Sequence, residues 1–235
     1  MISERQFATL YTSFWATVLP LGESTVRGMN LRVDRVYDPF DADASAALNG
    51  FVNELAFRLA ESSHRAGTKT ISLKELPKVY ASTESYILRL PRPSIPSSEA
   101  ERDAATRDAV AIAQRLAEMI GHARGENSIT FRPLFMGCGT LDACEGDILI
   151  GEDLWEVKSG DRHFRQIDIR QILIYCALNH AARTRVIDRY SLVNPRAGVV
   201  LADTIDNLVY DVAGCDPGTL FDEIIACVTM RDAST

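Results

Sequence analysis

The chain of 235 residues is 46% hydrophobic and 24% charged, with a net charge of −7, the balance of an ordinary globular protein with material for one large domain or two small ones. The acidic total excludes a protein that coats nucleic acid over its whole surface. No apolar run approaches the ~20 residues that a membrane span needs, and residues 1–6 lack a basic region leading into an apolar block, so neither membrane contact nor a secretory leader is expected. The five cysteines, Cys138, Cys144, Cys176, Cys215 and Cys227, are odd in number and form no C-x-x-C pair. A disulfide framework and a zinc site are therefore not expected, and the cytoplasm is the expected compartment.

In chain order, Ser3 and Gln6 form a capping box for a helix to about residue 18, with Phe7, Leu10, Phe14 and Val18 at helical spacing and Pro20 as its stop. Trp15 beside that stripe reads as core. Residues 22–38 are mixed, and 31–37 alternate enough for a strand or an extended arm. Asp41 and Asp43 are expected to cap a helix to about 62, and a shorter helix follows Ser72. His64 has no partner at metal-ligand spacing. The run 90–98 holds Pro91, Pro93 and Pro96 among serines, which no helix or central strand tolerates. A boundary is placed there, giving a mainly helical region 1–97 and a second domain 98–235.

The second domain opens with an alanine-rich helix to about 123, whose apolar stripe ends near Glu118. Residues 129–135 read as a strand that Pro133 interrupts. Then come a hairpin, a basic loop at 161–165, a helix over 166–182, strands at 185–193 and 199–201, and a last helix from about 219 to 230. The order α-β-β-β-α-β-β-α implies an α/β domain on a mixed sheet.

The hairpin carries the chemistry. Residues 148–150 and 154–157 are β-rich runs joined by Gly151-Glu152-Asp153. Side chains on a strand repeat every second residue, so Glu156 and Lys158 share a face while Trp155 and Val157 take the other. Asp147 lies at the far strand, with Glu145 two residues earlier as an outer acid. Two carboxylates and the Val157 carbonyl are a magnesium-type oxygen set, and a lysine beside them can position water or stabilise phosphate charge. These residues alone are equally consistent with a cross-strand ion pair of Asp147 and Lys158 on an exposed face. Gln171 and Tyr175, four apart on the next helix, face the same way, with Arg170 adjoining. From Lys158 to Arg196 eight cations stand against three acids, a net of +5.

Asp147, then Glu156-Val157-Lys158, then Gln171-Ile172-Leu173-Ile174-Tyr175 resembles the PD-(D/E)XK nuclease superfamily, in its branch with a Gln-x-x-x-Tyr motif. The resemblance covers residues 98–201, with Gly146 in place of the proline of the family name. It implies a restriction-endonuclease-like core, a mixed sheet flanked by helices, and a Mg²⁺-dependent nuclease, with Mn²⁺ able to substitute and DNA as substrate. Asp147 and Glu156 would be metal ligands, together with the Val157 carbonyl. Lys158 would be the catalytic lysine, Gln171 and Tyr175 would complete the site, and Glu118 would match the acid of the first core helix. Arg162, Arg165, Arg170 and Arg196 are the expected nucleic-acid contacts. Phage defence or restriction is the expected setting; with no nucleotide-binding loop, any ATP-driven step would need a partner ATPase or other system protein, and double-strand cutting would favour a homodimer. The competing expectation is an inactive nuclease-like module that docks nucleic acid or a protein partner.

Overall fold

A computed structural model of the chain describes residues 1–68, 70–125 and 127–230. The strands are β1 (Asp34–Arg35), β2 (Ile129–Phe131), β3 (Leu134–Phe135), β4 (Cys144–Glu145), β5 (Ile148–Ile150), β6 (Asp153–Val157), β7 (Arg189–Asn194) and β8 (Val199–Thr204). Six of them form a mixed sheet in the order β1-β8-β7-β6-β5-β2, and β3 and β4 make a separate two-stranded ribbon. Among the described residues, only β6 and β7 run parallel within the mixed sheet. Helix α7 (Gln166–Ala182) makes the crossover between them that a parallel connection requires.

Helices cover both faces. The α7 side also holds α1 (Glu4–Leu10), α2 (Thr12–Val18), α3 (Gly22–Leu31), α8 (Ile205–Ala213) and α9 (Pro217–Thr229). The opposite face packs against α4 (Asn49–Arg65), α5 (Leu76–Ile87) and α6 (Glu99–Arg124). The alternation of β6 feeds both cores: Leu154 joins the α7 side, and Trp155 joins the α4–α6 side. Residues on either side of the 97/98 boundary share each core, and β1 pairs with β8, so the helical region 1–97 wraps the sheet on both faces. Among the described residues, no helix is long and apolar enough to cross a membrane.

Several elements differ from the sequence expectation. The first helix breaks at Tyr11, where the chain turns so that the Trp15 indole donates to the Phe7 carbonyl at 2.9 Å. Residues 22–31, expected as mixed, are helical. The helix expected from Asp43 starts at Asn49 after a short 3-10 turn; the Asp43 and Ala44 amides donate instead to the buried Asp108 carboxylate, at 3.1 and 3.0 Å. Pro133 splits its strand into β2 and β3. Helix α8, not anticipated, is capped by the Thr204 hydroxyl, which accepts from the Asn207 amide.

Candidate active site

The β5–β6 hairpin closes through the two-residue loop Gly151-Glu152, and Gly151 supplies the positive φ of +60° that such a tight turn needs. The last paired residues at the open end are Ile148 and Trp155. One step further, the register sets Asp147 opposite Glu156. Because β5 is antiparallel to β6, both acids lie at the carboxyl end of β6, next to its parallel neighbour β7. Ligands of open α/β sheets bind at such strand ends. Gly146 sits where the chain is crowded: a Cβ there would stand 3.0 Å from the Phe135 ring and 3.4 Å from Pro133. Glu145 belongs to β4, outside the strand that follows Asp147, and its carboxylate turns to Arg132 at 4.0 Å.

Lys158 follows β6 and is anchored through its own N–H to the Val193 carbonyl at 2.7 Å. Its ammonium donates to Glu156 Oε1 at 2.6 Å and to Gln171 Oε1 at 2.8 Å, with Asp168 Oδ1 3.5 Å away. Glu156 is 4% exposed, and the Lys158 side chain 20%, so the exposed surface ion pair is not what forms. Asp147 spends Oδ2 on the Val157 amide at 2.7 Å. Asp168, 0% exposed, accepts both terminal nitrogens of Arg162 at 2.7 and 2.8 Å and caps α7 through the Arg165 amide at 2.8 Å.

The electrostatics follow from this crowding. Burial, and then the charge of Asp147, push Glu156 up to about 8, against the pull of Lys158. Loss of water likewise raises Asp147, with Lys158 and the Val157 N–H opposing. Burial works against the Lys158 charge, but Glu156, Asp168 and Asp147 outweigh it and hold the lysine above its usual value. Burial would raise Asp168 too; the Arg162 hydrogen bonds and Lys158 reverse the sign and hold it low.

Tyr175 is buried, stacked on Phe135 at 5.1 Å and 15°, within the fields of Glu156 and Asp147. The remaining expectations fare differently. Glu118 does not join the cluster: it lies on the surface of α6, bound to the Tyr37 hydroxyl at 2.8 Å and to Gln114 at 2.9 Å, and no site carboxylate is among the charges that act on it. The helix acid whose charge does reach Asp147 is Glu54 of α4. Arg170 turns away from the carboxylates, donating to the Ala8 carbonyl at 3.0 Å and lying over the Trp15 ring. Arg196, 4% exposed, donates to the Ser159 carbonyl at 3.0 Å and to Asn53 at 3.3 Å, holding the loop after Lys158 from inside. Arg162 is committed to Asp168, whereas Arg165 is exposed.

Asp168 and Glu54 were not singled out from sequence. Asp168 precedes Gln171 by three residues, one helical turn, which was the available signal. Glu54 interrupts the apolar run of α4, but only the strand pairing brings it near Asp147.

The residues fit a hard divalent cation. Among the described residues no three His, Cys, Asp or Glu side chains gather as a metal cage. Magnesium, however, keeps several waters and needs only one or two carboxylates. Among the described residues Glu156 Oε2 is buried without a hydrogen-bond partner, an orphaned carboxyl oxygen beside a second carboxylate that a cation would satisfy. Compared with family profiles, with curated proteins and with solved structures, the chain finds no match in any of the three.

Proposed function

We propose that the chain is a metal-dependent nuclease with a restriction-endonuclease-like core, which hydrolyses phosphodiester bonds of DNA. The observation that carries this assignment is the ammonium of Lys158, held between Glu156 and Gln171 and set against the Asp147–Glu156 pair. Asp147 and Glu156, with the Val157 carbonyl, would hold Mg²⁺ or Mn²⁺, which supplies Lewis-acid stabilisation of the charge that builds on phosphate. Lys158 has three N–H donors; two are used within the site, which leaves one for a phosphate oxygen. Gln171 keeps the ammonium in place and Asp168 helps keep it charged. Double-strand cutting would take two copies of the chain, since each carries one such centre.

The test is incubation of purified protein with supercoiled and linear DNA, with Mg²⁺ or Mn²⁺ and with chelator. Cleavage is expected only with metal, and is expected to fall ~100-fold or more in Lys158→Ala and Asp147→Asn while both remain folded. Equal cleavage by wild type and Lys158→Ala would overturn the assignment.

A further inference from the structure

A cavity of about 260 Å³ lies on the other side of the loop that follows Lys158, lined by Arg35, Arg196, Asp161, Phe40, Phe164 and Asn30 among others. Its walls are fixed by the backbone. The Ser159 and Gly160 carbonyls accept from Arg196 at 3.0 Å and from Asn194 at 2.8 Å. Asn30 clasps Phe164 in both directions, accepting from its N–H at 3.0 Å and donating to its carbonyl at 2.9 Å. The arm around β1 closes the far side, with the Phe40 N–H on the Arg196 carbonyl at 2.8 Å.

Its charges are not balanced. Arg196 is buried, yet its hydrogen bonds go to a carbonyl and an amide oxygen, and its Nη1 makes none among the described residues. Burial holds its guanidinium below the usual value, with Asp161 and Asp108 opposing only through space. Arg35 binds the Ala197 carbonyl at 3.1 Å and, among the described residues, pairs with no carboxylate. A buried cation without a bonded anion is costly, and a guanidinium presents a fork that matches phosphate. A cavity needs only ~10–15 Å³ of such space to admit a water, so this one has room for more than a phosphate. Phe40 and Phe164 give it apolar walls of the kind that accept a sugar or a base.

We propose that this cavity binds a nucleoside monophosphate unit, the phosphate on Arg35 and Arg196 and the nucleoside against Phe40 and Phe164. That the unit belongs to a DNA strand held beside Lys158 rests on the nuclease assignment; occupancy of the cavity does not.

Binding is therefore measured without turnover, by calorimetry in chelator at low salt, with thymidine 5′-monophosphate, thymidine, inorganic phosphate and a 5′-phosphorylated thymidine oligonucleotide. Wild type and Lys158→Ala are expected to bind the monophosphate equally, with Kd below ~1 mM, and Arg35→Glu ~10-fold or more weakly. Thymidine and phosphate alone are expected to bind more weakly than the monophosphate. Arg196→Lys, which keeps a cation, is expected to retain part of the affinity; Arg35 lies at the surface, so its variant serves should Arg196→Lys fail to fold. Displacement of the monophosphate by the oligonucleotide identifies a strand end as the ligand, and binding of the monophosphate alone identifies a free nucleotide; either supports the cavity. No binding by wild type, unchanged affinity in Arg35→Glu, or phosphate binding as tightly as the monophosphate would overturn the proposal.

Discussion

Two charged clusters border Asp147, and they are built on different principles. On the α4 side, Glu54, Glu61 and Glu145 meet Arg58, Arg65 and Arg132, one arginine for each acid. On the α7 side, among the described residues, Glu156 and Asp168 pair with Lys158 and Arg162, and Asp147 feels Lys158 and Arg132 only through space. The first cluster is matched charge for charge; the second sets three carboxyls against two cations at a buried place, which raises Glu156 to about 8 and, among the described residues, leaves one of its oxygens unbonded. Balanced buried charge serves as structure, whereas a buried deficit is costly and persists where function retains it.

The largest expected effect breaks the α7 side at its centre. Asp168→Ala leaves Arg162 and Lys158 facing each other without their shared anion. Urea denaturation is expected to register a loss of about 3 kcal/mol, the lower end for one partner of a buried pair because Arg162 reaches solvent. A change near zero would mean that Asp168 is not the anchor of Arg162 and Lys158 that the geometry makes it.

Arg132→Ala tests the balanced cluster. Glu54 and Glu61 then lose their common partner, for about 1–3 kcal/mol, and the loss is expected to be the same with Mg²⁺ and with chelator. Arg132 also holds a φ of +51°, so Arg132→Gly is expected to be less damaging than Arg132→Ala by ~1 kcal/mol.

The third effect is one of pH, with chelator present. Glu156 ordinarily titrates near 4.5 and is raised to about 8 when folded. Between those values the folded state binds more protons than the unfolded one, so stability falls as pH rises from about 5 to about 8. Glu156→Gln is expected to flatten this slope, seen as urea midpoints that stay level where those of wild type decline. Mg²⁺ is expected to offset the decline in wild type by binding the folded state, and to do less in Asp147→Asn. A wild-type slope unchanged by Glu156→Gln would place the deficit elsewhere.

The hairpin and α7 were legible because their signals are local. Residues 148–150 and 154–157 are β-rich runs, Gly151 marks the turn between them, and an unbroken apolar run over 172–178 fills the middle of α7, whose bounds at Gln166 and Ala182 match the expectation. The parity that puts Glu156 and Lys158 on one face follows from strand geometry alone. Illegible were the contributions that sheet order brings together. Glu54 stands 93 positions before Asp147 in the numbering, and nothing in α4 announces that it meets β5. The surroundings of the arginines were illegible for a related reason. A count of charge from Lys158 to Arg196 takes no account of burial, and it treated Arg170 and Arg196, both turned inward onto backbone carbonyls, as equivalent to the exposed Arg165.

The smallest expected effect separates packing from chemistry within the α7 cluster. Gln171 touches Lys158 directly, whereas the Tyr175 hydroxyl makes no hydrogen bond among the described residues and its ring stacks on Phe135. That ring lies in turn against the position of Gly146, where a Cβ would already crowd Phe135. The aromatic body thus supports the turn that delivers Asp147. Tyr175→Phe keeps the body, and is expected to change stability by no more than ~0.5 kcal/mol and cleavage by at most a few-fold. Gln171→Leu is expected to lower cleavage ~10-fold or more, because the lysine loses one of its two bonded partners. Parallel rate measurements on the two variants decide the point: a loss in Tyr175→Phe as large as in Gln171→Leu would put the hydroxyl on the substrate and give Tyr175 a chemical role beside its packing.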